Sequence, residues 1–160
     1  MSKGKRLSTD LQLVSFLLDK EVFAVDVMKV QSVERVVEIT GIPGLPDFVE
    51  GVINLRESII PIVDLRKKFS LPAKNFDKET RMIVIELASS VVVGMIVDKV
   101  NEVFQIGQEL LGSVPSIKGI RGKVPNDYIN GVAKFDGKLI IVLNAERIFS
   151  EEEAEAIKNV

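Results

Sequence analysis

The chain has 160 residues, of which 46% are hydrophobic, and its 21 basic and 23 acidic side chains leave a formal charge of −2. It contains no cysteine and no histidine, which excludes a Ser-His-Asp triad, a cysteine nucleophile and the usual zinc and haem sites. The balanced charge argues against a nucleic-acid partner, because proteins that bind nucleic acids usually carry a basic excess.

Short apolar runs, each bounded by polar residues or by glycine and proline, predict strands in the first half of the chain. They are residues 11–18, 22–27, 34–39, 51–55 and 58–63. Apolar residues at helical spacing over 28–33 and the polar start of 64–69 each indicate about one helical turn. The Gly/Pro-rich segment 41–46 predicts a loop.

The second half repeats this pattern after a polar linker. Its predicted strands are residues 81–87, 91–97, 129–135 and 138–143. The Gly/Pro-rich stretch 107–127 predicts a long loop, and Asp-Gly at 136–137 predicts a tight hairpin turn. A helix is expected over 151–160, where Ser150 and Glu153 have the spacing of a capping box.

The two halves are related by an internal repeat. Residues 48–69 align without a gap on residues 128–149, and residues 27–33 align on 97–103. A small sheet removes its unpaired edges by closing into a barrel. We therefore predict an all-β fold of two related five-stranded barrels packed together, with a short C-terminal helix.

Candidates for chemistry are few. Asp64 and Asp98 follow strand ends, where catalytic carboxylates can lie, but a cap on the next helical turn explains them more simply. No group of residues suggests a metal site or a cofactor. Two small barrels with this much apolar sequence instead favour a partner-binding surface. Its candidates are Val27, Val30 and Val33 with their repeat copies Val97, Val100 and Val103.

Three blocks of the sequence resemble the CheW coupling proteins of bacterial chemotaxis. Residues 51–66, Gly-Val-Ile-Asn-Leu-Arg-Glu-Ser-Ile-Ile-Pro-Ile-Val-Asp-Leu-Arg, are similar to the family signature. Residues 94–103 and the hairpin 131–143 are similar to two further blocks. The resemblance covers about residues 10–150, nearly the whole chain.

The resemblance implies one domain over residues 10–150, made of two intertwined barrels of Src homology 3-like topology. These subdomains would span roughly 15–75 and 80–145, with strand exchange possible, and a C-terminal helix would span 151–160. The implied function is that of a non-enzymatic adaptor, which bridges the cytoplasmic tips of chemoreceptors to the regulatory domain of the histidine kinase CheA. The chain would then be cytoplasmic and reach the membrane-proximal receptor array through its partners, without inserting into the membrane.

The resemblance also implies two binding surfaces. The receptor-binding groove would contain Val30, Arg56, Met82, Gly94 and Val103, and we expect the apolar surface candidates Val27 and Val33 to belong to it as well. The kinase-binding surface would contain Ile42, Leu45 and Phe48, in a loop whose Pro and Gly residues limit the ordering cost of binding.

One position departs from the family pattern beside the signature arginine, Arg56. Glu57 stands where glycine is usual, so we expect the turn geometry to differ, because Glu resists the positive φ that Gly adopts. The acidic residue that often pairs with this arginine is replaced by Ser32, which leaves Glu34 or Glu57 as the candidate partner.

Three other interpretations are open. The chain can be the regulatory domain of a histidine kinase, although a start at Met1 and the capped C-terminal helix argue against this. It can be a CheV-type fusion, although no receiver domain follows. It can be an enzyme that uses Asp64 and Asp98, which would require a deep pocket that holds both carboxylates.

Overall fold

The structure, a computed structural model, describes residues 10–107, 111–112 and 124–160. Over these residues the chain forms ten strands and three short α-helices. The strands are β1 (Asp10–Leu18), β2 (Glu21–Asp26), β3 (Val30–Arg35), β4 (Val49–Leu55), β5 (Ser58–Asp64), β6 (Arg81–Glu86), β7 (Val92–Val97), β8 (Lys99–Gly107), β9 (Ile129–Phe135) and β10 (Lys138–Leu143). The helices are α1 (Leu65–Lys68), α2 (Ala145–Ile148) and α3 (Glu151–Lys158).

The strands form two five-stranded sheets of the same topology. Sheet 1 has the order β8-β1-β2-β10-β9, and sheet 2 has the order β3-β6-β7-β5-β4. Each contains one parallel pair, β2 with β10 and β5 with β7, among antiparallel neighbours. Sheet 1 takes β1 and β2 from the first repeat and β8 to β10 from the second, while sheet 2 takes the remaining strands. The predicted all-β fold of two related five-stranded units with a short C-terminal helix is confirmed.

Two details of the predicted elements were wrong. The third strand spans Val30–Arg35 rather than 34–39, and the helical spacing before it produces only a 3₁₀ turn, Val27–Lys29. β8 was missed because its polar residues, which face solvent at the edge of sheet 1, break the apolar run that marks the other strands. Most of the expected loop over 107–127 lies outside the described residues.

A single isolated bridge closes each sheet towards a barrel. The chain that follows an edge strand pairs with the opposite edge, through Thr40 with Val52 in sheet 2 and Gly112 with Val132 in sheet 1. A Cβ on Gly51 would lie 2.4 Å from the Thr40 carbonyl oxygen, and one on Gly131 would lie 2.9 Å from the Gly112 carbonyl oxygen. The two glycines therefore permit the close backbone approach that closes each sheet.

The main hydrophobic core lies between the sheets. Phe16 and Phe23 of sheet 1 and Ile83 and Met95 of sheet 2 are at most 1% exposed and belong to one cluster. A smaller cluster fills the interior of sheet 1, and another fills the interior of sheet 2. Because successive side chains on a strand point to opposite faces, each central strand supplies both the shared core and the interior of its own sheet.

The C-terminal helix α3 closes one side of this core. Ile157 is 1% exposed and packs into the inter-sheet cluster. At the start of the helix, the Ser150 hydroxyl accepts a hydrogen bond from the Glu153 amide while the Glu153 carboxylate accepts one from the Ser150 amide. The capping box expected from the sequence is therefore present.

Candidate interaction surfaces

The signature arginine lies at the tip of the β4–β5 hairpin. Arg56 has φ of 50° and Glu57 has φ of 69°, both in the left-handed region. The equivalent turn of the other repeat has the same signs, with φ of 56° at Asp136 and 77° at Gly137. The expected change of turn geometry at Glu57 is therefore not seen, and Glu57 instead adopts a backbone conformation that glycine tolerates better.

Arg56 forms an ion pair with Glu34 on β3. The Arg56 Nη2 atom lies 3.1 Å from the Glu34 carboxylate, and the two side chains are 70% and 20% exposed. Glu34 is thus the acidic partner that the sequence left open. An exposed pair of this kind contributes about 0–1 kcal/mol to folding, so its main effect is to orient the guanidinium.

Two of the predicted groove valines extend the inter-sheet core to the surface. Val33 is 41% exposed and Val103 is 53% exposed. Val33 lies opposite Ile83 and Val103 lies opposite Val14 in antiparallel pairs, and both partners belong to the main core. Since cross-strand partners share a face, both valines lie on the sheet faces that meet at the core. Val27, Val30 and Val100 are partly buried against the same cluster, and Val97 is fully buried.

Met82 and Gly94 lie elsewhere. Met82 is 0% exposed and packs in the interior of sheet 2. Gly94 is buried on the same side, where a Cβ would lie 2.7 Å from the Ile62 Cδ1 atom. Neither residue offers surface to a partner, so the structure does not bring all seven predicted groove residues to one exposed surface.

Ile59 and Leu139 are among the exposed apolar residues that the sequence did not single out. Ile59 on β5 is 60% exposed and Leu139 on β10 is 55% exposed. Alternation places them on the same faces as Val63 and Leu143, which belong to the inter-sheet core. Ile59 and Leu139 are repeat copies, as are Val33 and Val103, so an apolar residue retained at the same position of both repeats is the sequence signal that could have identified them.

Of the three predicted kinase-binding residues, Ile42 is the exposed one. Ile42 is 41% exposed, whereas Leu45 and Phe48 are partly buried against the main core. The centre of the Phe48 ring lies 6.3 Å from the centre of the Phe149 ring. Leu45 and Phe48 thus anchor the loop to the main core, and the Ile42 side chain is exposed to solvent.

A buried cation next to this loop was also missed. The Lys68 ammonium lies 3.0 Å from both Glu153 carboxylate oxygens and 3.2 Å from the Tyr128 hydroxyl. It also lies 5.3 to 5.9 Å from the ring centres of Phe48, Tyr128 and Phe149. Burial would lower the pKa of Lys68, but its hydrogen bonds to Glu153 and Tyr128 outweigh burial and raise it. Lys68 therefore ties α1 to α3 across 85 residues, a distance at which sequence spacing gives no signal.

Asp64 and Asp98, the candidate catalytic carboxylates, have structural roles. Asp64 caps α1 by accepting a hydrogen bond of 2.9 Å from the Arg66 amide. Asp98 accepts two hydrogen bonds of 2.8 Å from the Arg66 guanidinium and one of 2.8 Å from the Asp19 amide. The cavity that they line measures about 10 Å³, which leaves no room for a substrate.

The pKa values of the two carboxyls move in opposite directions. Burial raises the pKa of Asp64, and the hydrogen bond from the Arg66 amide only partly offsets this. Burial also disfavours the charged form of Asp98, but the hydrogen bonds from Arg66 and the Asp19 amide outweigh it and hold the pKa of Asp98 below its ordinary value. Asp98 is therefore a fixed anion of a buried ion pair.

Comparison with known proteins identifies the family. The model of the CheW-like domain matches residues 12–153. The chain belongs to the CheW-like family. It is 32% identical to the chemotaxis protein CheW of Klebsiella aerogenes over 149 residues, which are 93% of this chain and 87% of that protein. It is 33% identical to the chemotaxis protein CheW of Treponema pallidum over 152 residues, which are 93% of this chain and 88% of that protein.

A solved CheW structure shows the same fold. The scaffolding protein TtCheW from Thermoanaerobacter tengcongensis superimposes with a TM-score of 0.78 at 32% identity, over 94% of each chain. CheW family proteins are scaffolding or adaptor proteins and not enzymes, so this chain is a chemotaxis scaffold or coupling protein. In the described part of the chain, no helix is long and apolar enough to cross a membrane.

Proposed function

We propose that this chain couples the cytoplasmic tips of chemoreceptors to the regulatory domain of the histidine kinase CheA, at the membrane-proximal receptor array in the cytoplasm. Membership of the CheW-like family carries this proposal. The exposed apolar side chains beside the inter-sheet core support it, because apolar surface left in contact with water often marks a site of protein–protein interaction.

The receptor surface is centred on the exposed valines and Arg56. A receptor tip is a helical hairpin, and an amphipathic helix can place apolar side chains against a groove on its partner. Val33 and Val103 offer apolar contact, and Arg56 offers a charge that Glu34 holds in place. Met82 and Gly94 are buried, so they offer no side-chain surface to a receptor.

The kinase surface is centred on Ile42. The regulatory domain of CheA would dock barrel against barrel on the loop that carries Ile42, with Leu45 and Phe48 packed on the core behind it. A loop that is already supported loses little conformational freedom when a partner binds. The Lys68–Glu153 contact stabilises this support, because the Lys68 ammonium also lies against the Phe48 ring.

Signal transfer requires a difference in binding. An adaptor can change kinase activity only if the complex binds one receptor state better than another. With a net charge of −2, the chain has no strong overall field, so contact would depend on apolar area and on local charges such as Arg56.

Binding assays with single substitutions test the two surfaces separately. We expect Val33→Asp to weaken binding of a purified receptor tip fragment about tenfold or more and to leave CheA regulatory-domain binding unchanged, because a charge on an apolar contact must be desolvated. We expect Ile42→Asp to have the reverse effect. Each variant is the folding control for the other. If the unaltered chain binds neither partner at tens of micromolar, the proposed function is wrong.

A further inference from the structure

The two equivalent hairpin tips carry different residues in the same strained backbone conformation. The second turn residue is Gly137 in one tip and Glu57 in the other, and both have positive φ. A Cβ placed on Gly137 would meet no atom within 4 Å, so the turn itself requires no particular side chain. A non-glycine residue is destabilised in this region, and strain that persists without a structural need points to a functional constraint.

The charge of this tip is not balanced within the described structure. Arg56 is already paired with Glu34 at 3.1 Å. Glu57 is exposed, and among residues 10–107, 111–112 and 124–160 it forms no ion pair within 4.0 Å. The tip of sheet 2 therefore presents a free carboxylate beside a neutralised guanidinium.

An exposed apolar side chain lies two residues further on. Ile59 is 60% exposed and shares the face of Val63, which belongs to the inter-sheet core. Two residues of extended chain cover at most about 7 Å. On a helix, residues three or four positions apart have Cβ atoms about 5–6 Å apart, so one turn of a helix can offer partners to both Glu57 and Ile59.

We propose that Glu57 and Ile59 form a specificity-determining pair at the receptor surface. They select a receptor tip whose helix carries an apolar side chain and, one turn away, a lysine or arginine. The pair lies on the hairpin of Arg56, so it is continuous with the proposed receptor surface. This inference rests on the proposed function, since it names the chemistry of the helix that this surface accepts.

Four single variants of the full-length chain test the pair, with a helical-hairpin tip fragment of a chemoreceptor from the same organism as the probe. Glu57→Gln removes the charge, and Ile59→Ser removes the apolar contact. At the equivalent tip of sheet 1, Asp136→Asn removes an acidic charge one position before Gly137, the copy of Glu57, and Leu139→Ser makes the change at the copy of Ile59, where Leu139 is 55% exposed. The dissociation constant is measured at low and high salt, and thermal unfolding confirms that each variant is folded.

We expect Glu57→Gln and Ile59→Ser each to weaken tip binding about three- to tenfold, as loss of a rim charge or of a peripheral apolar contact does. The two sheet 1 variants should bind within about twofold of the unaltered chain. The effect of Glu57→Gln should shrink at high salt, because screening weakens exposed charge pairs, whereas the effect of Ile59→Ser should persist.

A charge exchange identifies the partner residue. If a lysine or arginine of the tip faces Glu57, its replacement by glutamate weakens binding, and Glu57→Lys restores it. If Glu57→Gln and Ile59→Ser bind the tip as tightly as the unaltered chain, the pair is not read by the receptor and the inference is wrong, while the proposed function stands. If the unaltered chain does not bind the tip at all, the proposed function and the inference both fail.

Discussion

The helices α1 and α2 occupy equivalent positions in the two repeats and use opposite charges for the same contact. Arg66 of α1 and Glu146 of α2 are each the second residue of their helix, and each helix is capped by the residue before it, Asp64 or Asn144. Arg66 and Glu146 each contact the segment after the second strand of the other repeat and the first hairpin turn of their own repeat. Arg66 contacts Asp98 after β7 and Asp19 in the β1–β2 turn, and Glu146 contacts Lys29 after β2 and the amide of Ala88 in the β6–β7 turn.

The two contacts differ in burial. The side chains of Arg66 and Asp98 are 10% and 8% exposed, while those of Lys29 and Glu146 are 32% and 34% exposed. A buried ion pair is highly sensitive to loss of one partner, because the remaining charge has no water to solvate it. Two contacts of equivalent geometry can therefore contribute unequally to the free energy of unfolding, because their contributions depend on burial.

The largest effect is expected from breaking the buried contact. Arg66→Met should lower the free energy of unfolding by about 3–5 kcal/mol, because it leaves Asp98 buried without its cation. Urea denaturation measures this change. Lys67→Met is the matched control on the same helix. The Lys67 side chain is 54% exposed and pairs with Glu50, which is 23% exposed, so the loss of this pair near the surface should cost about 1 kcal/mol or less. Equal losses in the two variants would contradict the buried role of Arg66.

The cost of Arg66→Met should depend on pH. In the unaltered chain the pKa of Asp98 lies below its ordinary value of 3.8, so its stabilising contribution is complete above that value and is lost as the pH falls through the lower, folded-state pKa. Without Arg66, burial raises the pKa of Asp98, and protonation then relieves the uncompensated charge. The difference in unfolding free energy between the two proteins should therefore shrink between pH 7 and pH 3.5. A difference independent of pH would show that Asp98 is not the residue affected.

A smaller effect is expected at the half-exposed contact. Glu146→Gln retains an acceptor for the Ala88 amide but removes the ion pair with Lys29, so it should lower the free energy of unfolding by about 1 kcal/mol or less. Added salt should reduce the cost, because screening already weakens this pair in the unaltered chain. Denaturation at low and high salt measures both values. A loss as large as that of Arg66→Met would remove the distinction between the two contacts.

The smallest expected effect is an increase in the free energy of unfolding, and it is tested by exchanging residues between the two hairpin tips. Glu57→Gly should raise the free energy of unfolding by up to about 1 kcal/mol, because glycine adopts the positive φ of this turn without strain. The reverse change, Gly137→Glu, should lower it by a similar amount. Thermal unfolding of both variants measures the pair. Destabilisation by Glu57→Gly would show that the Glu57 side chain supports the fold.

Much of the fold follows from the sequence because the repeat and the short apolar runs are local signals. The turn at residues 136–137 and the capping box at Ser150 are read from neighbouring residues, and both are present. β8 was missed because an edge strand with one solvated face has no continuous apolar run. The third strand was misplaced because the three-residue spacing of Val27 and Val30 predicts a helical turn. In the structure, the 3₁₀ turn ends at Lys29 and the strand already begins at Val30.

The candidate surfaces were less predictable, because exposure depends on contacts between distant segments. Val33 and Met82 are both apolar strand residues, but one is 41% exposed and the other 0% exposed. Both were predicted as groove residues, Met82 from the family resemblance and Val33 as an apolar surface candidate, and only packing separates them. The Lys68–Glu153 contact joins residues 85 positions apart, so no local pattern could reveal it.

The most direct test of the coupling role is a measurement with both partners present. We expect the purified chain, a receptor tip fragment and the CheA regulatory domain to form a ternary complex in analytical ultracentrifugation, because the Val33 and Ile42 surfaces are separate in the proposed arrangement. Val33→Asp should remove only the receptor fragment from this complex, and Ile42→Asp should remove only the kinase domain. Competition between the two partners for the chain, or binding of neither, would contradict the account.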